Sequence, residues 1–268
     1  NYWNFHGHGD SYQNNEDHVV CINSKSICET DEQSIPTGKI LNVEGSKFDL
    51  QKDFLTTRPN TDIYTILEGE KTCSNIVMRV LETNNDRKKI FEKPIDGCAF
   101  IYPETIQSKE KIFAIGKTVE RIKDLDEIPS PYLTGILDKF FDGKLTPFLE
   151  TNRGCPFLCT YCYWGRGGST VKYRYHSLER VSAEIDWIAK KKIKWIYSAD
   201  SNYGMHKRDI EIAQKVVQSK LTTGYPEKFR TTWGKNTSEQ IFKIANLLHK
   251  HDLGKGITLA RQTNSKEA

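Results

Sequence analysis

Three cysteines, Cys155, Cys159 and Cys162, stand at a Cys-x3-Cys-x2-Cys spacing within the run Arg153-Gly154-Cys155-Pro156-Phe157-Leu158-Cys159-Thr160-Tyr161-Cys162. Thiolates this close on one loop can converge on a single face of a cubane iron–sulfur cluster and supply three of its iron ligands. The fourth iron is then left for a small chelating ligand, as the open position of other catalytic metal sites is. Two other chemistries compete. A structural zinc site wants four ligands, usually two Cys-x2-Cys pairs or a Cys/His mixture. The sequence holds no second pair, and the nearest histidine is His176. A closed, electron-carrying cluster needs a fourth thiolate, for which Cys21, Cys28, Cys73 and Cys98 remain. Those four are scattered, as small apolar residues are. Seven cysteines without a secretion signal argue against a disulfide framework.

The elements that must position this loop follow from periodicity. Residues 146–150 read as a short strand leading into it. Ser177 fits a helix N-cap, with Leu178, Val181, Ile185 and Ile188 behind it at helical spacing. A strand over 193–199, a helix over 208–220, a strand over 229–233, a helix capped by Ser238 and a strand over 256–260 complete the second half. Strands alternating with helices of this length imply βαβ units and a parallel sheet. A last parallel strand with nothing after it is an exposed edge, so the chain is expected to be C-terminally truncated. In the first half, 62–67 reads as a strand, 68–70 as a turn, 72–82 as a helix with Ile76, Val77, Val80 and Leu81 on one side, and 98–102 as another strand. Residues 1–50 give no pattern. The expected division is an incomplete N-terminal α/β domain over 1–123, a linker with two prolines over 124–145 and a core domain over 146–268.

The cysteine spacing, the aromatic Tyr161 directly before the third cysteine and the position of the loop after the first strand of an α/β series resemble the radical S-adenosylmethionine superfamily. The likeness covers roughly residues 126–268. It is strongest for the branch with an N-terminal cobalamin-binding domain, whose late strand and Gly-Glu turn the segment 62–70 is similar to. The resemblance implies a partial (β/α) barrel preceded by a smaller Rossmann-like domain. It also implies a [4Fe–4S] cluster on Cys155, Cys159 and Cys162, with S-adenosylmethionine on its open iron. Reductive cleavage of the sulfonium would give a 5′-deoxyadenosyl radical that abstracts hydrogen from a substrate. On this basis Tyr161 lies near the adenine, Asp200 and Ser201 near the ammonium, Lys235 near the carboxylate and Gln262 near the ribose. All four polar residues follow ends of parallel strands, where such folds place ligands. Asp200 and Ser201 equally fit a cap of the next helix, and Lys235 a surface position. Cobalamin stays open: the Asp-x-His-x-x-Gly cobalt-binding pattern is absent, while some members of the branch bind cobalamin without a histidine ligand. If it binds, methyl transfer to an unactivated carbon is an expected reaction; if not, a rearrangement, cyclisation or dehydrogenation is equally open. The chemistry also requires an electron donor of the flavodoxin or ferredoxin type.

The composition is globular, with 37% hydrophobic residues among 268. A net charge of +4 carries no specific nucleic-acid signal. The run Lys190-Lys191-Lys192 suits a solvated helix C-terminus. No apolar run approaches the ~20 residues that span a bilayer, and a cytoplasmic protein is expected.

Overall fold

The computed structural model describes residues 19–20, 47–58, 60–66, 68–157, 173–235 and 238–254. The chain divides into two compact units, Asn1–Arg121 and Ile122–Ala268.

The first unit joins β1 (Val19–Val20), α1 (Lys47–Thr57), β2 (Ile63–Thr65), α2 (Gly69–Glu82), α3 (Arg87–Ile90), β3 (Cys98–Ile101) and β4 (Phe113–Ile115). Its sheet has the order β1-β2-β3-β4, and all three ladders are antiparallel. A Rossmann-like unit is built on parallel strands, so that part of the expectation is corrected. The cause is local. One crossover helix would return the chain parallel to β2. Here Asn84 and Asn85 both take positive φ, 50° and 60°, a conformation asparagine tolerates. They turn the chain out of α2 into α3, whose N-cap Asp86 accepts from Lys88 N at 3.0 Å. This second reversal delivers β3 antiparallel. Gly69 and Glu70, expected in a turn, already belong to α2. Thr72 and Ile76 form the buried stripe of α2, while Val77 and Leu81 are exposed. Ile76 packs with Ile63, Ile90, Phe91, Cys98 and Phe100 in one core.

The second unit carries β5 (Phe148–Leu149), β6 (Asn152–Arg153), β7 (Arg174–Tyr175), α4 (Leu178–Lys190), β8 (Trp195–Ser198), α5 (Asp209–Thr223), β9 (Lys228–Arg230) and α6 (Glu239–Lys250). Strands β5, β8 and β9 form a parallel sheet in that order, as the alternation of strands and helices predicts. Ser177 and Ser238 cap their helices as read from the sequence, accepting from Arg180 N at 3.1 Å and Ile241 N at 3.3 Å. The sheet buries Leu149, Ile196 and Phe229 against Val181, Ile185, Ile212, Val216, Ile244 and Leu248 from the three helices. Burial of such side chains contributes ~1.5–3 kcal/mol each before the entropy of ordering is counted. The fourth strand expected over 256–260 lies outside the described residues. The segment expected as a linker is packed: Tyr132 OH donates to Phe148 O at 2.7 Å, and Tyr132 and Phe141 meet the Trp187 ring. Asp126 accepts from Ser177 N at 3.1 Å.

Candidate functional site

The site is built where β5 and β8 end side by side. Leu149 pairs with Ser198, and Ala199 N donates to Leu149 O at 3.0 Å, so Thr151 and Asp200 emerge together. Asp200, 1% exposed, ties the two exits: Oδ1 accepts from Thr151 N at 2.8 Å and Asn152 N at 3.2 Å, and Oδ2 from Thr151 Oγ1 at 2.6 Å. Burial pushes its carboxyl up to about 6, and those hydrogen bonds, with one from Ser198, restrain the rise.

From there β6 pairs with β7 in an antiparallel hairpin that brackets the cysteine loop. Salt bridges and hydrogen bonds pin its root. Arg153 forks onto both carboxylate oxygens of Glu150, at 2.8 and 3.0 Å. Buried His176 stands between Glu150 and Asp126, at 3.6 and 3.2 Å. Burial would raise the Glu150 carboxyl, but His176 and Arg153 outweigh it and hold it down at about 2. His176 is thus committed to carboxylates and is no zinc ligand. Gly154, with φ of 124°, makes a turn that glycine accepts freely and delivers Cys155 into the interior, 3% exposed.

Next to Cys155 lies the exit of β8. Ser201 Oγ donates to Gly154 O at 2.9 Å. Asn202 Nδ2 donates toward Ser201 Oγ at 2.9 Å, Cys155 Sγ at 3.4 Å and Tyr173 OH at 3.4 Å. Tyr203 bridges to Trp233, and Gly234 N donates to Tyr203 O at 2.9 Å. Lys235, half-buried, follows Gly234 directly. Cys155, Asp200 and Ser201 are therefore together. Cys159, Tyr161, Cys162 and Gln262 lie outside the described residues.

Sequence reading missed a polar group beyond Asn202. The Tyr173 ring meets His206 edge-on at 4.0 Å between centroids. Tyr175 OH lies 3.1 Å from His206 Nδ1, and Arg208 covers the Tyr175 ring. Asp209 closes the turn, accepting from Gly204 N and His206 N at 2.7 and 3.0 Å, and burial pushes it up to about 6. The Tyr173 and Tyr175 alternation was the available signal, since period two puts both on one face of a strand.

Among the described residues no three His, Cys, Asp or Glu side chains gather around a metal position; two of the three motif cysteines are not among them. The donor chemistry fits a cluster: a buried thiol at the sheet's C-terminal edge, with an amide N–H directed at its sulfur. The scattered Cys98 does not serve as a fourth ligand. It is wholly buried in the core of the first unit, where burial pushes its thiol up to about 12.

The chain is 29% identical over 217 residues to the 2-(S-pantetheinyl)-carbapenam-3-carboxylate methyltransferase of Streptantibioticus cattleyicolor, covering 79% of this chain and 30% of the relative. It is 31% identical over 159 residues to the cobalamin-dependent radical SAM methyltransferase TokK of Streptomyces tokunonensis, covering 57% and 23%. Among solved structures, the apo form of the cobalamin-dependent S-adenosylmethionine radical enzyme OxsB aligns at a TM-score of 0.44 and 19% identity, over 79% of this chain and 28% of that one. A model of the aldose 1-epimerase family matches residues 1–93, a stretch without the motif cysteines. Both relatives are named as methyltransferases, and the second by name supports the class that the cysteine spacing resembles, the radical S-adenosylmethionine enzymes. Within it that relative supports the cobalamin-dependent branch. The chain spans less than a third of the length of these two relatives.

Proposed function

We propose that this chain is part of a radical S-adenosylmethionine methyltransferase. In this reading Cys155, Cys159 and Cys162 hold a [4Fe–4S] cluster. The single observation that carries it is the burial of Cys155 at the C-terminal edge of a parallel sheet, in a Cys-x3-Cys-x2-Cys loop. A cluster held by Cys155, Cys159 and Cys162 would supply the electron for reductive cleavage of the sulfonium of S-adenosylmethionine, and bound cobalamin would supply a methyl carrier.

The protein's own residues bind and orient. Asp200 is committed to Thr151 and Asn152, so its part is to hold the loop root. Ser201 meets the ammonium of S-adenosylmethionine, Lys235 its carboxylate, Gln262 its ribose and Tyr161 its adenine. The three parallel strands are the start of a partial (β/α) barrel. A flavodoxin- or ferredoxin-type donor provides the electron. Methylation as the outcome is supported by the names of both relatives.

The test is anaerobic reconstitution with iron and sulfide, then incubation with S-adenosylmethionine and dithionite. Formation of methionine and 5′-deoxyadenosine, lost in Cys159→Ala, is expected. Intact S-adenosylmethionine in the presence of a full iron complement would refute the reading. Added cobalamin that fails to bind would refute the cobalamin-dependent part alone.

A further inference from the structure

We propose that Asn202 tunes the cluster's reduction potential through an N–H···S hydrogen bond to Cys155. The inference rests on the cluster reading above. Asn202 is 2% exposed, and its Nδ2 lies 3.4 Å from Cys155 Sγ.

The hydrogen-bond network fixes which end of the amide faces the sulfur. Ser201 Oγ has one proton, and that proton goes to Gly154 O at 2.9 Å. Toward Asn202 the hydroxyl can therefore only accept, and the atom 2.9 Å away must be the NH₂ nitrogen. That nitrogen also faces Sγ. A thiolate accepts and cannot donate, so a ligating Cys155 demands the same orientation. The turn at Gly154, the hydroxyl of Ser201 and the amide of Asn202 thus form one device that aims a donor at the ligand sulfur.

The arrangement leaves something uncompensated. Asn202 Oδ1 is buried with no hydrogen-bond partner among the described residues. A buried carbonyl without a partner is costly, and a leucine would fill much the same volume without that penalty. What the asparagine offers in return is its N–H₂ group. Reduction places an added negative charge on the cluster and its thiolates. A donor dipole directed at one of those sulfurs stabilises the reduced form more than the oxidised form, more strongly in a dry site. Hydrogen bonds to the sulfurs are among the factors that set such potentials.

The experiment is an anaerobic redox titration of the reconstituted full chain, followed by electron paramagnetic resonance, without S-adenosylmethionine. The wild type is compared with Asn202→Leu and Asn202→Asp. In Asn202→Leu the reduced-to-oxidised ratio at a fixed potential is expected to fall about tenfold, which is 59 mV for a one-electron couple. Asn202→Asp keeps the shape, removes the donor and puts a carboxylate against the sulfur, so its fall is larger. If the leucine variant assembles no cluster, the isosteric aspartate variant carries the test. Unchanged potentials in cluster-loaded variants would overturn the inference and leave the cluster reading standing. A wild type that takes up no cluster would overturn both.

Discussion

Asp200 is wholly buried where β8 ends. Its position after the second parallel strand was legible, because ligand-facing residues gather at such ends. Its partners were not, because hydrogen bonds across some fifty residues leave no trace in local periodicity. Both carboxylate oxygens are used to tie Thr151 and Asn152 to the β8 exit. Asp200→Ala would leave the N–H groups of Thr151 and Asn152 and the Thr151 hydroxyl proton without their acceptor, and should cost about 3 kcal/mol in chemical denaturation of the apo chain. The pH dependence has a defined sign. Asp200 holds its proton more tightly folded, at about 6, than its ordinary 3.8. Its contribution is therefore fully present below that ordinary value and is lost as pH rises through 6, a loss of roughly 3 kcal/mol. Asp200→Asn keeps the oxygen for the two N–H groups and removes the ionisation. Between pH 4 and 7 the wild type should lose about 2 kcal/mol more stability than this variant; equal losses would show that Asp200 is not the titrating group.

At the scale of elements, the second unit was readable because its helices carry the face that packs on the sheet. The α6 sequence puts Ile241, Ile244, Ala245 and Leu248 on the buried side, and Ser238 marks its start. Ser238→Ala is expected to cost about 1 kcal/mol, measured by thermal denaturation with Ser177→Ala as the companion. The β6–β7 hairpin went unread because each strand has only two residues and polar side chains hold its root, leaving the Tyr173 and Tyr175 alternation as its one short signal. Its root is conformational: at a φ of 124° a side chain is strained, typically by ~1–3 kcal/mol. Gly154→Ala should thus lower the iron retained per chain, assayed after desalting, while helix content by circular dichroism stays unchanged. In the first unit, periodicity found α2 and both flanking strands but not their direction. Pairing direction depends on the chain reversals between strands, here on two asparagines at positive φ.

For the molecule as a whole, the two units differ in how they are made. One is an antiparallel sheet with helices, closed around Ile63, Ile76 and Phe100. The other is a parallel sheet with Cys155 buried beside its strand exits. Helices among the described residues are too short or too polar to cross a membrane. In the proposed reading it is the second unit, with Cys155 buried beside the strand exits, that carries the chemistry. The most direct measurement is electron paramagnetic resonance of the anaerobically reconstituted, reduced protein with and without S-adenosylmethionine. The account predicts a [4Fe–4S] signal that shifts on addition of the ligand and is absent in Cys159→Ala. A cluster signal indifferent to S-adenosylmethionine, or zinc in place of iron, would contradict it.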